Sequence, residues 1–291
     1  MGHADTHRAS AWGVVPALML IALFFSAYAI FIHASFTQSS LGAAVPGAGA
    51  SLANYIKYFS STSDLSILGE TLWISVWIML AAAVLGYPVA YTIVRTQSPL
   101  LRNVLFIAVI MTFLSGSITR AYSWLVILGN RGLVNALLLK IGLLTTPLQL
   151  VYNEIGVFVA LLHFVLPFFI LTMMGPLKNV HKNLEDAAIN LGASRAQVFV
   201  NVTLPLSLPG IVAGCSLTFA LSLSAFAFPL VLGGGRMRMV ANSIYENIFT
   251  AFNIPYAATI ATVFLVVALV SVWSFSALQQ FAQRGRTFGG A

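Results

Sequence analysis

Long apolar stretches alternate with short polar ones along the whole chain. Six apolar stretches are long enough to cross a membrane, because a helix needs about 20 mostly apolar residues to span the hydrocarbon core. They are residues 14–36, 70–94, 103–128, 155–177, 208–232 and 256–281. The pattern therefore predicts an all-α integral membrane protein with six transmembrane helices, organised as a single domain over residues 1–291.

The segments between these spans are short. Residues 37–69 are rich in Gly, Ser and Ala, which is typical of a loop. Residues 129–154 contain RGLVNALLLKIGLL, which predicts an amphipathic helix along the membrane surface. We expect no separate soluble domain, because none of these segments could bury a core of its own.

Composition supports the membrane location. Hydrophobic residues make up 59% of the 291 residues, which is more apolar surface than a soluble domain of this length can bury. The net charge of +7 could suggest nucleic acid binding. However, the basic residues are scattered without a block, so we expect the lipid bilayer, and no nucleic acid, as the partner they face.

The basic residues also predict the orientation, since cytoplasmic loops carry an excess of Lys and Arg. Six crossings place both termini on the side with more basic residues, so both termini are expected in the cytoplasm. That side holds Arg8, Arg95, Arg102, Lys178, Lys182, Arg195, Arg284 and Arg286, against Lys57, Arg120, Arg131, Lys140, Arg236 and Arg238.

Residues 183–210, NLEDAAINLGASRAQVFVNVTLPLSLPG, are unusually polar for a connection between two spans. Asn183 is a good N-cap, and Glu185 and Asp186 fall in the first turn, where acids suit the helix dipole. Gly192 is placed to end this helix in the left-handed conformation.

A second short helix is expected directly after the glycine. Ser194 and Gln197 have the spacing of a capping box at its start. Pro205 is expected to end it, because the residue before a proline disfavours helix.

The first of these helices has an apolar stripe formed by Leu184, Ala187, Ala188 and Leu191. Two alanines make the stripe thin, so the helix could enter a groove on another protein. An amphipathic loop lying on the bilayer would show the same periodicity. Periodicity alone leaves both interpretations open.

The order of residues resembles the EAA loop of binding-protein-dependent ABC importer permeases. That loop reads Glu-Ala-Ala, three residues, Gly, nine residues, Ile-x-Leu-Pro. Here Asp186-Ala187-Ala188 and Gly192 follow the pattern, and Val202-Thr203-Leu204-Pro205 closes it in register. Asp replaces Glu, although Glu185 precedes it, and Val replaces Ile.

Three further segments resemble the spermidine/putrescine-type permeases, in particular the first of their two permease subunits. They are TRAYSWLVILGNRGLVNALL (119–138), VLPFFILTMMGPLKNV (165–180) and FPLVLGGG (228–235). The resemblance implies a type I ABC importer transmembrane domain in the bacterial inner membrane, with a cytoplasmic helix–Gly–helix coupling loop at about 178–207. It also implies three partners, namely a second related permease, a dimeric cytoplasmic ATPase and a periplasmic binding protein.

The resemblance also implies which residues couple the chain to the ATPase. They are Glu185, Asp186, Ala187, Ala188, Gly192, Ala193, Ser194, Leu204 and Pro205.

No segment matches the P-loop pattern G-x-x-x-x-G-K-[ST], and the glycine-rich GGGRMRM (233–239) lacks its Lys-Ser/Thr. We therefore expect no enzyme activity and no cofactor in this chain, with ATP and Mg bound by the partner ATPase. Metal-ligand clusters are not apparent either, so no metal site is predicted.

An ion-coupled secondary carrier is the alternative from another class. Such carriers place acids or broken helices near the membrane midplane. All seven acids lie at predicted helix ends or in loops, which counts against it, while His163 and Pro167 in the fourth span keep it open. For the substrate, the resemblance favours spermidine, putrescine or a related small cation. The alternative is the same importer class with iron(III), sulfate, thiamine, an amino-acid derivative or a phosphonate.

Candidate pathway residues each have a plainer interpretation. Arg120 could line the outer mouth of a pathway or extend to the membrane surface among aromatic residues. His163 could simply join two helices, and two phenylalanines of the fifth span could gate the path or pack against lipid. The candidates are Arg120, Tyr122, Trp124, Glu154, His163, Phe226, Phe228 and Glu246.

Overall fold

The computed structural model describes the backbone of residues 5–37 and 49–287 and the side chains of residues 15–37 and 49–277. These ranges are almost entirely helical. The α-helices are α1 (Asp5–Ser35), α2 (Ala53–Ser60), α3 (Thr62–Arg95), α4 (Pro99–Leu114), α5 (Ser117–Leu128), α6 (Leu133–Lys140), α7 (Glu154–Asn179), α8 (Lys182–Asn190), α9 (Arg195–Val198), α10 (Leu204–Leu223), α11 (Ala227–Leu232), α12 (Val240–Phe249) and α13 (Ile254–Thr287). A π-helical turn, Phe199–Thr203, joins α9 to α10.

Six helical segments within the described residues are long and apolar enough to cross a membrane. This number confirms the prediction from hydropathy, although the bounds differ, by as much as 14 residues where the predicted span 103–128 is compared with Ser117–Lys140. The segments are Val15–Ser35, Thr62–Arg95, Ser117–Lys140, Glu154–Asn179, Arg195–Leu223 and Ile254–Ala277.

Two predicted spans are interrupted, so the expectation of continuous helices over 103–128 and 208–232 is wrong. The first breaks between α4 and α5, where Ser115 and Gly116 adopt extended backbone angles. The second breaks between α10 and α11, after Ser224. Apolar side chains continue on both sides of each break, and hydropathy therefore could not reveal them.

The connections are also more structured than expected. The predicted loop at 37–69 contains α2 and the start of α3, while residues 38–48 lie outside the described part. A helix is present within 129–154, namely α6, and its place along the membrane surface remains a prediction. Its buried Asn135 exchanges two hydrogen bonds with the Leu148 backbone, at 2.9 and 2.8 Å, and so fixes the connection that follows.

Two compact units make up the chain, and the prediction of a single domain remains a prediction. The first unit draws its described residues from Met1–Leu65 and Ser243–Leu265. Buried polar contacts join its helices. Ser35 Oγ lies 2.6 Å from Tyr55 Oη, and the Ser35 carbonyl accepts from Thr259 Oγ1 at 3.1 Å. Burial raises the pKa of Tyr58 to about 12, and the nearby Asp64 carboxylate adds to the rise.

The second unit draws its described residues from Ser66–Asn242 and Val266–Ala291, and its core packs around α7. The fully buried Phe169 ring of α7 lies between two glycines. A Cβ would come within 2.7 Å of this ring at Gly86 of α3 and within 2.9 Å at Gly214 of α10. Glycines at these positions let three helix backbones approach closely, as is common where helices pack inside membranes.

Candidate functional site

The polar connection after α7 folds into a short helix whose start differs from the prediction. Helix α8 begins at Lys182, with His181 rather than Asn183 in the N-cap position. A tertiary contact holds this start of the helix. Arg95, the last residue of α3, donates to the Val180 carbonyl just before α8 and to the Glu185 side chain in its first turn, each at 2.8 Å.

Gly192 ends α8 as expected, with a φ of +90°. The Gly192 N–H bonds to the Ile189 carbonyl at 2.9 Å, and the Ala193 N–H bonds to the Ala188 carbonyl at 3.0 Å. This pair of bonds is a Schellman motif, which satisfies carbonyls that the helix leaves unpaired. The glycine therefore sets the angle at which the chain leaves α8.

The capping box at the start of α9 is also confirmed. The Ser194 hydroxyl accepts from the Gln197 N–H at 3.3 Å, and the Gln197 side chain accepts from the Ser194 N–H at 2.8 Å. Both bonds are local, so the three-position spacing of Ser194 and Gln197 was enough to predict them.

Pro205 does not end the second helix, so that expectation is wrong. The chain stays helical from α9 through the π-turn into α10, where Pro205 occupies the first turn. In the π-turn the Leu204 N–H bonds to Phe199, five residues back. The bond therefore reaches five residues back instead of the usual four. It lies immediately before Pro205, which has no N–H to donate.

Glu185 links the connection to two other elements, which the sequence did not reveal. Its Oε1 atom lies 2.8 Å from Arg95 Nη2 and accepts from Thr203 Oγ1, also at 2.8 Å. The two ionic side chains are only 17% and 12% exposed, so the pair is largely withdrawn from water. Glu185 thus joins α8 to the end of α3 and to the π-turn.

Aromatic packing extends this linkage toward the membrane. The Phe199 ring lies edge-on to Tyr87 and Tyr91 of α3, with centroids 5.7 Å apart in both pairs. The Tyr87 hydroxyl is 2.9 Å from Ser207 Oγ on α10. A displacement of α8 would therefore act on α3 and α10 through defined contacts.

The remaining face of α8 points away from the chain. Leu184 is 48% exposed and Leu191 is 90% exposed, and Ala187 between them is also exposed. Asp186 is exposed and has no hydrogen-bond or ion-pair partner among the described residues. The two acids therefore differ, since Glu185 faces the protein and Asp186 faces outward.

Arg120 lies at the break between α4 and α5 and is only 4% exposed. It does not extend to the surface. Its guanidinium donates to the backbone carbonyls of Thr112 and Ser115 and, at 3.3 Å, to that of Phe164 on α7. These contacts satisfy carbonyls left open at the end of α4, where a hydrocarbon environment supplies no water.

One turn further along α5, Trp124 Nε1 donates to His163 Nδ1 on α7 at 3.2 Å. His163 therefore joins two helices, as its plainer interpretation predicted. Phe228 is buried, and its ring lies 5.3 Å from Phe164, so it does not face lipid. Arg120, Trp124 and His163 thus all hold α5 against α7.

The two helix breaks meet at a cavity of about 270 Å³. Irregular backbone at membrane depth is tolerated where it lines such a cavity. Phe226 and Phe228 line it together with Ser117, Ile118, Phe164, Leu221, Ser224, Ala225 and Ala227.

The other pathway candidates lie elsewhere. Tyr122 is exposed on α5, and Glu154, at the start of α7, borders a different cavity with Trp73 and Trp77. Glu246 belongs to the first compact unit. The described residues contain no group of three or more His, Cys, Asp or Glu that could hold a metal ion.

The family model for the inner membrane component of binding-protein-dependent transport systems matches residues 105–284, more than half of the chain. The chain belongs to this family. It is a multi-pass protein of the bacterial inner membrane and a permease subunit of an ABC importer. This assignment replaces the ion-coupled secondary carrier that the sequence had left open.

Curated relatives agree with this assignment. The spermidine/putrescine permease PotB of Haemophilus influenzae is 33% identical over 65% of this chain and 66% of its own length. The Escherichia coli permease YdcU is 31% identical over 73% of this chain and 71% of its own length. The chain thus aligns with about two thirds of the length of these relatives.

Solved structures show the same fold. A bacterial ABC transporter involved in the import of alginate superposes with a TM-score of 0.82 at 17% identity, covering 95% of this chain and 96% of that one. The methionine transporter MetNI gives 0.58 at 15% identity, over 76% and 99%. The fold is therefore that of a type I ABC importer transmembrane domain.

Proposed function

We propose that this chain is one of two related permease subunits of an importer that carries a polyamine such as spermidine or putrescine. A dimeric cytoplasmic ATPase supplies the energy, with ATP and Mg bound there, and a periplasmic binding protein delivers the solute. The exposed apolar face of α8 carries the proposal, because it has the form of a helix that enters a groove on another protein.

Coupling follows from the contacts of the connection. The outward face of α8, with Asp186, Ala187 and Leu191, contacts the ATPase. Gly192, Ala193 and Ser194 set the elbow, and Leu204 and Pro205 begin the helix that returns into the membrane. Glu185 transfers the motion to α3 and the π-turn through Arg95 and Thr203. In this proposal the connection lies in the cytoplasm, and so, with six crossings, do both termini.

The cavity between the helix breaks is the candidate passage for the solute. Three phenylalanine rings line it, and aromatic faces attract organic cations. No carboxylate lines the cavity, so the passage offers no fixed counter-charge. Selection of the substrate then rests mainly with the binding protein. The relatives named PotB favour a polyamine over iron(III), sulfate, thiamine, an amino-acid derivative or a phosphonate.

Reconstitution tests the two parts of the proposal separately. The chain is co-expressed with the second permease and the ATPase from neighbouring genes, placed in proteoliposomes and supplied with the binding protein. Uptake of radiolabelled spermidine and putrescine is measured with ATP and with a non-hydrolysable analogue. We expect uptake only when ATP and the binding protein are both present.

Uptake that proceeds without ATP would overturn the coupling assignment. ATP-dependent uptake of another solute, with neither polyamine transported, would overturn only the substrate.

A further inference from the structure

A second cavity, of about 250 Å³, lies apart from the passage and from the exposed face of α8. It is formed where the end of α3, the start of α4 and the end of α7 come together. Its lining residues are Ile93, Val94, Arg102, Asn103, Phe106, Met174 and Lys178.

The charge of this cavity is positive and uncompensated. Arg102 and Lys178 are exposed, and neither has an ion-pair partner among the residues that the structure describes. No acid is among the lining residues. The nearby acid Glu185 is already paired with Arg95, so it does not serve as the counter-ion of Arg102 or Lys178.

The charged and the apolar residues that line this cavity lie at different positions along their helices. Arg102 lies in the first turn of α4 and Lys178 in the last turn of α7, so both cations stand at helix ends. Phe106 and Met174 each lie four residues further into their helices, which is about 6 Å deeper. The cavity thus combines a cationic mouth with an apolar interior.

This order of groups matches a membrane phospholipid. An anionic headgroup would meet Arg102, Asn103 and Lys178, and the first methylenes would meet Phe106 and Met174. The acyl chains would continue along α4, where Val104, Ile107 and Met111 are exposed. Basic pockets between membrane helices are suited to anionic lipid headgroups.

We propose that this cavity binds the headgroup of an anionic glycerophospholipid at the membrane face from which α8 emerges. The bound lipid bridges α3, α4 and α7 beside the Arg95–Glu185 pair. The site is independent of the solute that the importer carries. A free phosphate ion shares the charge but would leave the apolar interior without an occupant.

Lipid titration of the purified, delipidated full chain tests the site by native mass spectrometry. Phosphatidylglycerol and phosphatidylcholine with identical acyl chains are compared, and inorganic phosphate is added as a competitor. The variant R102Q/K178Q removes both cations. The control R131Q/K140Q removes two exposed cations that do not line the cavity.

We expect the wild-type chain to prefer phosphatidylglycerol. Each basic residue near an anionic headgroup changes affinity about fivefold, so R102Q/K178Q should bind phosphatidylglycerol about 25-fold more weakly. The control should keep the preference. Equal binding of both lipids, equal loss in the control, or displacement of phosphatidylglycerol by inorganic phosphate at matching concentration would each overturn the proposal.

Discussion

Arg95 Nη2 lies 2.8 Å from Glu185 Oε1, so the last residue of α3 forms an ion pair with the first turn of α8. Arg95 also holds the Val180 carbonyl, and Glu185 also accepts from Thr203. Removing either partner leaves a charge withdrawn from water without its counter-ion. Such unpaired charges destabilise more than loss of an exposed pair does.

A double-mutant cycle measures the strength of this pair. Arg95→Met and Glu185→Gln should each lower the stability of the chain in detergent by about 1–3 kcal/mol. The double variant should lose clearly less than the sum, because neither charge is then left alone. Thermal unfolding followed by fluorescence provides the measurement. If the stability losses of the two single variants simply add in the double variant, the two residues do not interact. Arg131→Met provides the control, because it removes an exposed cation.

Gly192 should be intolerant of side chains because of its backbone angle and not for lack of space. A Cβ there meets nothing within 4 Å, but its φ is +90°. A β-branched residue in that region is strained by about 1–3 kcal/mol. Gly192→Val should therefore tilt α8, so that ATP hydrolysis continues while transport falls and the complex still assembles.

Gly142 offers a matched control for that experiment. It has a φ of +73° and open space around it, but it lies in the connection after α6. Gly142→Val carries similar strain and should transport normally. Normal transport by Gly192→Val in proteoliposomes would contradict the role of the elbow.

Local signals in the sequence predicted local structure well. The six spans follow from runs of apolar residues, and the turn at Gly192 and the Ser194–Gln197 capping box each depend on neighbours within five positions. These features could be predicted without knowledge of the rest of the fold. The roles of the site residues in transport remain predictions.

Tertiary contacts account for what the sequence could not show. Arg95 and Glu185 are 90 positions apart, so Arg95 appeared only as a charge that indicated topology. At the break after Leu114, Arg120 donates to the Ser115 carbonyl, a contact that hydropathy does not report. In the same way, the helix continues past Pro205 after a π-turn, and no pattern of apolar residues reports such a turn.

Arg120 should be essential for stability more than for solute binding. Arg120→Met removes a charged donor from the carbonyls of Thr112, Ser115 and Phe164. A hydrogen bond to a charged group contributes about 1.5–3 kcal/mol. Arg120→Lys keeps the charge but not the planar fork, so we expect an intermediate loss. Thermal unfolding of both variants shows which of them loses more stability. A variant of normal stability with a raised KM for uptake would instead place Arg120 in the solute pathway.

Ser224 lines the cavity between the two helix breaks and is exposed there. Ser224→Phe should fill the passage and abolish most uptake, while the importer still assembles and hydrolyses ATP. Ser123→Phe is the matched control, since Ser123 is an exposed helical serine outside the cavity lining. Unchanged uptake by Ser224→Phe would mean that the solute passes elsewhere.

Gly214 should tolerate no large side chain, because it adjoins the buried ring of Phe169. A Cβ would lie 2.9 Å from that ring, which is closer than side-chain carbons normally approach. Gly214→Leu must push α10 away from α7 and should lower stability by about 1–3 kcal/mol, as overpacking does. Gly175→Leu, on α7 with nothing within 4 Å of its Cβ, should unfold close to the wild-type temperature. Equal unfolding temperatures for the two variants would show that the α7–α10 contact can open without loss.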